Sequence, residues 1–183
     1  MLIDTSSLSD LSQMFLNRPI SQISFTSQFN TEDITSFLTM FSGTQLIHIN
    51  ISTFDTYNVK GMQNMFSDCK NLKSIILSNF NNNKLQNLVG MFSGCSSLEN
   101  ITFINFNTEH VEQAYSMFNS CNKLTYIDIS SFKFSSTCDL RNFFNKDNAK
   151  PKGTIKLTKD TKTKIEQYFP EDWNFECVDG DCD

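Results

Sequence analysis

The dipeptide Met-Phe returns at an almost constant interval along the chain, and few architectures accommodate that. It stands at Met14-Phe15, Met40-Phe41, Met65-Phe66, Met91-Phe92 and Met117-Phe118, with Phe143-Phe144 as a degenerate sixth copy, at steps of 26, 25, 26, 26 and 26. A period of this size marks a tandem array, in which one unit cannot bury its apolar face alone and each neighbour covers the last. Other columns keep the interval more strictly. Phe25, Ile51, Leu77, Phe103, Ile129 and Ile155 are each 26 apart, as are Ile23, Ile49, Ile75, Ile101 and Ile127, and as are Ile20, Leu46, Leu72, Leu98 and Leu124.

The three columns read L-x-x-I-x-L in each copy, and the last two alternate as a half-buried strand does, which predicts six short parallel strands. The second half of each copy has another rhythm. Val59, Met62, Met65 and Phe66, like Val111, Ala114, Met117 and Phe118, fall at i, i+3, i+6 and i+7, a spacing that predicts one face of a short helix. Thr5, Thr31, Thr56, Asn82 and Thr108 sit just upstream as expected N-caps, and Glu32, Asp33 and Glu109 follow where a helix dipole favours negative charge. Cys69, Cys95 and Cys121 form one further column. Stacked units would point these side chains the same way, which suits neither a disulfide nor a converging metal site, so they read as a ladder of small buried thiols.

Length and composition set outer limits. The 183 residues suffice for one continuous domain with its own core, and a charged content of 19% with a net charge of −5 gives no basic footprint for nucleic acid. No run approaches the roughly 18 consecutive apolar residues of a membrane span, and no basic start followed by an apolar run opens the sequence.

MFSDCKNLKSIILSNFN, MFSGCSSLENITFINFNTEHV and MFNSCNKLTYIDISSF closely resemble the 26-residue repeat of BspA-type leucine-rich-repeat surface proteins, including the mycoplasma-lipoprotein-like branch. The resemblance covers residues 3 to about 144; the Met14 and Met40 copies lack the Cys and are one residue shorter before the strand. It implies an α/β repeat fold, a right-handed leucine-rich-repeat-like solenoid of about six parallel strand–helix repeats, used at the cell surface or in secreted form for adhesion and protein contact. Residues 1–13 are expected to be a partial repeat forming an N-terminal cap helix or the cut end of a longer array, 14–144 five repeats of 25–26 residues, and 145–183 a C-terminal strand–helix cap with an acidic tail. In that cap Asp160 to Phe169 reads as a helix with Ile165, Tyr168 and Phe169 inward, stopped by Pro170, and Trp173 and Phe175 close over the last repeat.

The side chains predicted to face outward from the strands are the candidate binding surface: Gln22, His48, Ser74, Asn100 and Tyr126; then Ser24, Asn50, Ile76, Thr102 and Asp128; then Ser52, Ser78, Ile104 and Ser130. Small polar groups around an apolar or aromatic anchor suit a protein partner, including a host surface protein. Ordinary solvated strand positions would look the same. No phosphate loop, nucleophile elbow or H-E-x-x-H is present, and His48 and His110 are expected on opposite sides. The expectation is therefore a monomeric, non-catalytic binding module without cofactor or metal, with an intracellular scaffold or inhibitor, or a structural spacer, as alternatives. Cys177 and Cys182 in ECVDGDCD are read as part of a disordered acidic tail; a bridge, or a metal site with Asp179, Asp181 and Asp183, are the other options. Asn50-Ile51-Ser52 and Asn100-Ile101-Thr102 match glycosylation acceptors on predicted strands.

Overall fold

A computed structural model describes residues 4–26, 28–78, 80–144 and 152–182. It contains one five-stranded, all-parallel sheet in the order β1 (Ser74–Leu77), β2 (Asn100–Phe103), β3 (Tyr126–Asp128), β4 (Thr154–Leu157) and β5 (Asn174–Cys177). Alternate side chains of β1 to β4 point inward, so Ile75, Leu77, Ile101, Phe103, Ile127, Ile155 and Leu157 are buried while Ile76 between two of them is exposed, which is the period-two alternation read from the sequence. The passes through Ile23 and Ile49 are not strands: those two side chains are only partly buried, and the nearest links are the single bonds Ile47 N–H to Ser21 O and Lys73 N–H to Ile47 O.

The register corrects one sequence column. β1, β2 and β3 pair 26 residues apart, but Ile127 pairs with Ile155, a step of 28, so Ile155 belongs to the column of Ile127 and Leu157 to that of Ile129. An even slip keeps every side chain on its face, which is why the misplacement left the inward pattern intact. β5 adds a strand where the sequence suggested only a closing aromatic segment and a disordered tail, pairing Phe175 with Ile155 and Cys177 with Leu157.

The predicted helices of the repeats are absent from the described residues. Val59, Met62, Met65, Phe66, Val111, Ala114, Met117 and Phe118 are buried as expected, but on a wall of successive tight turns. In one pass Met40, Ser42 and Thr44 donate to Phe37, Thr39 and Phe41 carbonyls three residues back, while Phe37, Thr39, Phe41 and Gly43 donate across to Gly61, Gln63, Met65 and Ser67 of the next pass at 2.8–3.0 Å. Each turn needs a left-handed residue, and two columns supply them: Gln13, Thr39, Asn64, Gly90, Ser116 and Asn142, then Asn17, Gly43, Asp68, Gly94 and Ser120, all at φ between 52° and 78°. An α-helix cannot hold such residues in series. The expected N-caps also bond elsewhere. Thr5 Oγ1 donates to Asn30 O, Thr31 Oγ1 accepts from Asp55 N, Thr56 Oγ1 donates to Asn82 Oδ1 and Thr108 Oγ1 accepts from Lys133 N, so the column stitches passes together.

Thr39 is the one β-branched residue in the left-handed columns, at φ 52°, and its hydroxyl is buried without a hydrogen bond. Replacing it by glycine is expected to stabilise the chain by about 0.5–1 kcal/mol, the relieved strain outweighing the entropy that glycine adds to the unfolded state. A urea midpoint that rises with an unchanged slope would show it.

The core is aromatic. Phe15, Phe41, Phe66, Phe92 and Phe118 stack ring on ring at 5.4, 5.3, 5.4 and 5.8 Å with interplanar angles of 7–12°, and Phe80, Phe106 and Phe132 form a second file at 5.7 and 5.5 Å. After β4 the chain enters α1 (Lys159–Ile165), with Thr158 Oγ1 accepting from Thr161 N, continues in a 3-10 turn over Glu166–Tyr168, and reaches Pro170 through Phe169. Ile165, Phe169 and Trp173 are buried there. The expected cap residues 145–151 lie outside the described residues.

Candidate functional site

The sheet places the predicted outward residues in two registered rows. Ser74, Asn100 and Tyr126 are direct partners, and the row continues through Thr154 to Asn174. Ile76, Thr102 and Asp128 form the second, continued by Lys156 and Glu176. Ile104 follows β2 on the same face as Thr102, so it stands diagonal to Ile76. Ile76 is 61% exposed and Ile104 44%. Gln22, His48 and Asn50 are also exposed, but they belong to the passes before β1 and are not paired into the sheet.

Two candidates have local duties instead of free side chains. Asn50 Oδ1 accepts from Ser52 N at 3.0 Å, a side-chain-closed turn that competes with strand pairing. Asp128, expected to be presented outward, is only 8% exposed. Its Oδ1 accepts from Ser130 N and from the Ser130 hydroxyl, at 3.0 and 2.7 Å, and its Oδ2 lies 3.4 Å from Lys156 Nζ. β4 pairs alongside β3 and places Lys156, the counter-charge, next to this carboxylate. Partial burial, with the Asp128 carboxylate close by, pushes the Tyr126 phenol up from its usual range.

The face therefore has two characters: hydroxyl, amide and isoleucine groups on β1 and β2, and the charged series Asp128, Lys156, Glu176 on β3 to β5. Sequence reasoning missed Thr154, Asn174, Lys156 and Glu176, since the 28-residue step and the twentieth-residue return to β5 both break the period. The alternation in TIKL and NFEC was the available signal.

The cysteine column is a ladder of buried side chains. The thiols of Cys69, Cys95 and Cys121 donate to the carbonyls of Phe41, Phe66 and Phe92 at 3.1, 3.0 and 3.1 Å. Thr44 takes the same column one pass earlier, its hydroxyl 3.3 Å from Cys69 Sγ. Cys177 and Cys182 are joined in a disulfide, which corrects the disordered-tail expectation.

His48 and His110 are both exposed, His48 beside the sheet and His110 on the turn wall, in a shallow groove with Lys60, Lys84, Glu109 and Glu112. Among the described residues no three His, Cys, Asp or Glu side chains gather as a metal site, and no helix is long and apolar enough to cross a membrane.

Comparison with curated proteins and with solved structures returned no match. A family model described as "Mycoplasma protein of unknown function, DUF285" matches residues 2–96 and, overlapping them, 75–176. Those two stretches take in nearly the whole sequence, and the chain belongs to that family.

Proposed function

We propose that the chain is a capped solenoid of about six 25–26-residue repeats, similar to BspA-type leucine-rich-repeat surface proteins, that binds a protein partner through the outward face of its sheet and performs no catalysis. The observation that carries this reading is the exposed pair Ile76, on β1, and Ile104, immediately after β2, set among Ser74, Asn100, Thr102 and Tyr126. An apolar anchor within a rim of short polar groups is the arrangement from which protein interfaces draw most of their affinity. A cell-surface or secreted setting is part of the proposal; the Cys177–Cys182 bridge supports it, because disulfides persist in oxidising surroundings.

The test begins with a partner identified by affinity capture, then purified and titrated directly against wild type and the triple variant Ile76→Ser, Ile104→Ser, Tyr126→Ala. At least a tenfold loss of affinity is expected, with the unfolding midpoint of the variant close to wild type because Ile76 and Ile104 are exposed and Tyr126 is only half-buried. Unchanged affinity would remove the sheet face from consideration.

A further inference from the structure

The six cysteines fall into two chemical groups. Cys69, Cys95 and Cys121 are sealed in the core and bonded to main-chain carbonyls, and burial pushes the Cys95 thiol well above its ordinary value. Cys138 is half-buried, and its thiol is pushed up to about 12, by burial first and the neighbouring Asp139 carboxylate second. A thiol that does not ionise is a poor partner for thiol–disulfide exchange. The Cys177–Cys182 pair differs on every count: it is already oxidised, partly exposed, and placed at the end of an edge strand.

What the bridge holds is specific. It closes residues 178–181 into a loop that folds back onto α1. There the Asp179 carboxylate accepts from Lys159 N–H at 3.0 Å, and the Lys162 ammonium donates to Cys182 O at 2.6 Å. Lys162 also lies 5.5 Å from the Phe175 ring centre on β5. Gly180, at φ 123°, provides the reversal that brings the loop beneath Lys159. Val178 N–H, at the root of the loop, donates to Leu157 O at 2.9 Å. The loop thus touches both the edge strand and the start of a seven-residue helix that is too short to persist unaided.

We propose that Cys177–Cys182 is a reversible redox latch, opened by a dithiol reductant, that sets the order of β5 and of the first turn of α1. One thiolate of the dithiol attacks a bridge sulfur, forming a mixed disulfide and releasing the other cysteine as a thiolate that takes up a proton. The second thiol of the reductant then displaces the protein sulfur. The protein gains two electrons and two protons, and the dithiol leaves as its own cyclic disulfide. With the bridge open, Asp179 and Lys162 lose the geometry that joins the loop to α1, and β5 is held by its pairing with β4 and the packing of Phe175.

The experiment treats the full native chain with dithiothreitol, labels it with iodoacetamide and follows amide hydrogen exchange by mass spectrometry. Two labels per molecule are expected, at Cys177 and Cys182. Protection should fall at least tenfold in Lys159–Lys162 and Asn174–Val178, stay unchanged in β1 and β2, and return on reoxidation. The double variant Cys177→Ser, Cys182→Ser should give the reduced pattern with or without reductant. The latch is overturned if the bridge resists dithiothreitol until the whole chain unfolds. It is equally overturned if protection in α1 and β5 changes by less than twofold on reduction, or if the loss spreads evenly through β1 to β4.

Discussion

Phe92→Ala is expected to destabilise the chain by about 3–5 kcal/mol, a large part of what an ordinary domain possesses. Phe92 has no exposed surface and lies inside the ring file, stacked on Phe66 on one side and Phe118 on the other and meeting Phe103 edge-on at 6.1 Å. Truncation leaves a ring-sized void between passes whose backbones are bonded together on both sides, so the walls cannot close on it. Phe15→Ala supplies the contrast. That ring is 8% exposed and its stacking partner is Phe41 on one side, so its loss should cost less than half as much. Urea unfolding of the two variants tests both statements, and equal costs would show that position in the file carries no weight.

The second large effect is expected at Gly153, where the issue is space. A Cβ built there would lie 2.6 Å from Trp173 Cζ2 and 2.8 Å from both the Thr125 carbonyl oxygen and Trp173 Cε2. The backbone has little room to retreat, because Thr154 N–H donates to Thr125 O at 2.8 Å and Asn174 N–H to Gly153 O at 2.9 Å. Trp173 must therefore leave its place against Phe144 and Phe169, at 4.9 and 5.3 Å. Gly153→Val should cost about 3 kcal/mol or more and uncover the end of the core. The chain has a single tryptophan, so its native fluorescence reports the event directly: a red-shifted, quenchable emission is expected, and an unshifted one with stability within about 1 kcal/mol of wild type would refute the argument.

The core was legible from the sequence because burial imposes residue type. Met65, Phe66, Leu72, Ile75 and Leu77 are inward in the structure as their columns require. Secondary structure was less legible in the turn wall, where spacing at i, i+3, i+6 and i+7 fits a helix and a chain of three-residue-back turns equally. The signal that separates them is the Gly, Asn and Asp content of two columns, at Asn17, Gly43, Asn64, Asp68, Gly90, Gly94 and Asn142, where left-handed backbone is cheapest. On the candidate face, Ile76, Thr102, Ser74 and Asn100 were placed by alternation alone. Asp128 was not, since its counter-charge is Lys156, which reaches it only through a register the period does not predict.

The predominantly forward bonding of the turn wall, in which four N–H groups of a pass donate to the next while one, such as Lys60 N–H to Thr35 O, donates back, has an electrical consequence. Leu11, Gln13, Phe15 and Asn17 donate forward to the next pass, and so, pass after pass, do Met62, Asn64, Phe66 and Asp68, then Leu88, Gly90, Phe92 and Gly94, and finally Ala114, Ser116 and Phe118 to Asp139, Arg141 and Phe143. Peptide dipoles aligned head to tail add, as they do in a helix, but in a helix each N–H points back to an earlier residue and here most point on to a later one. The wall therefore carries a polarity opposite to that of an α-helix running in the chain direction, with its negative pole at the first pass and its positive pole at the last.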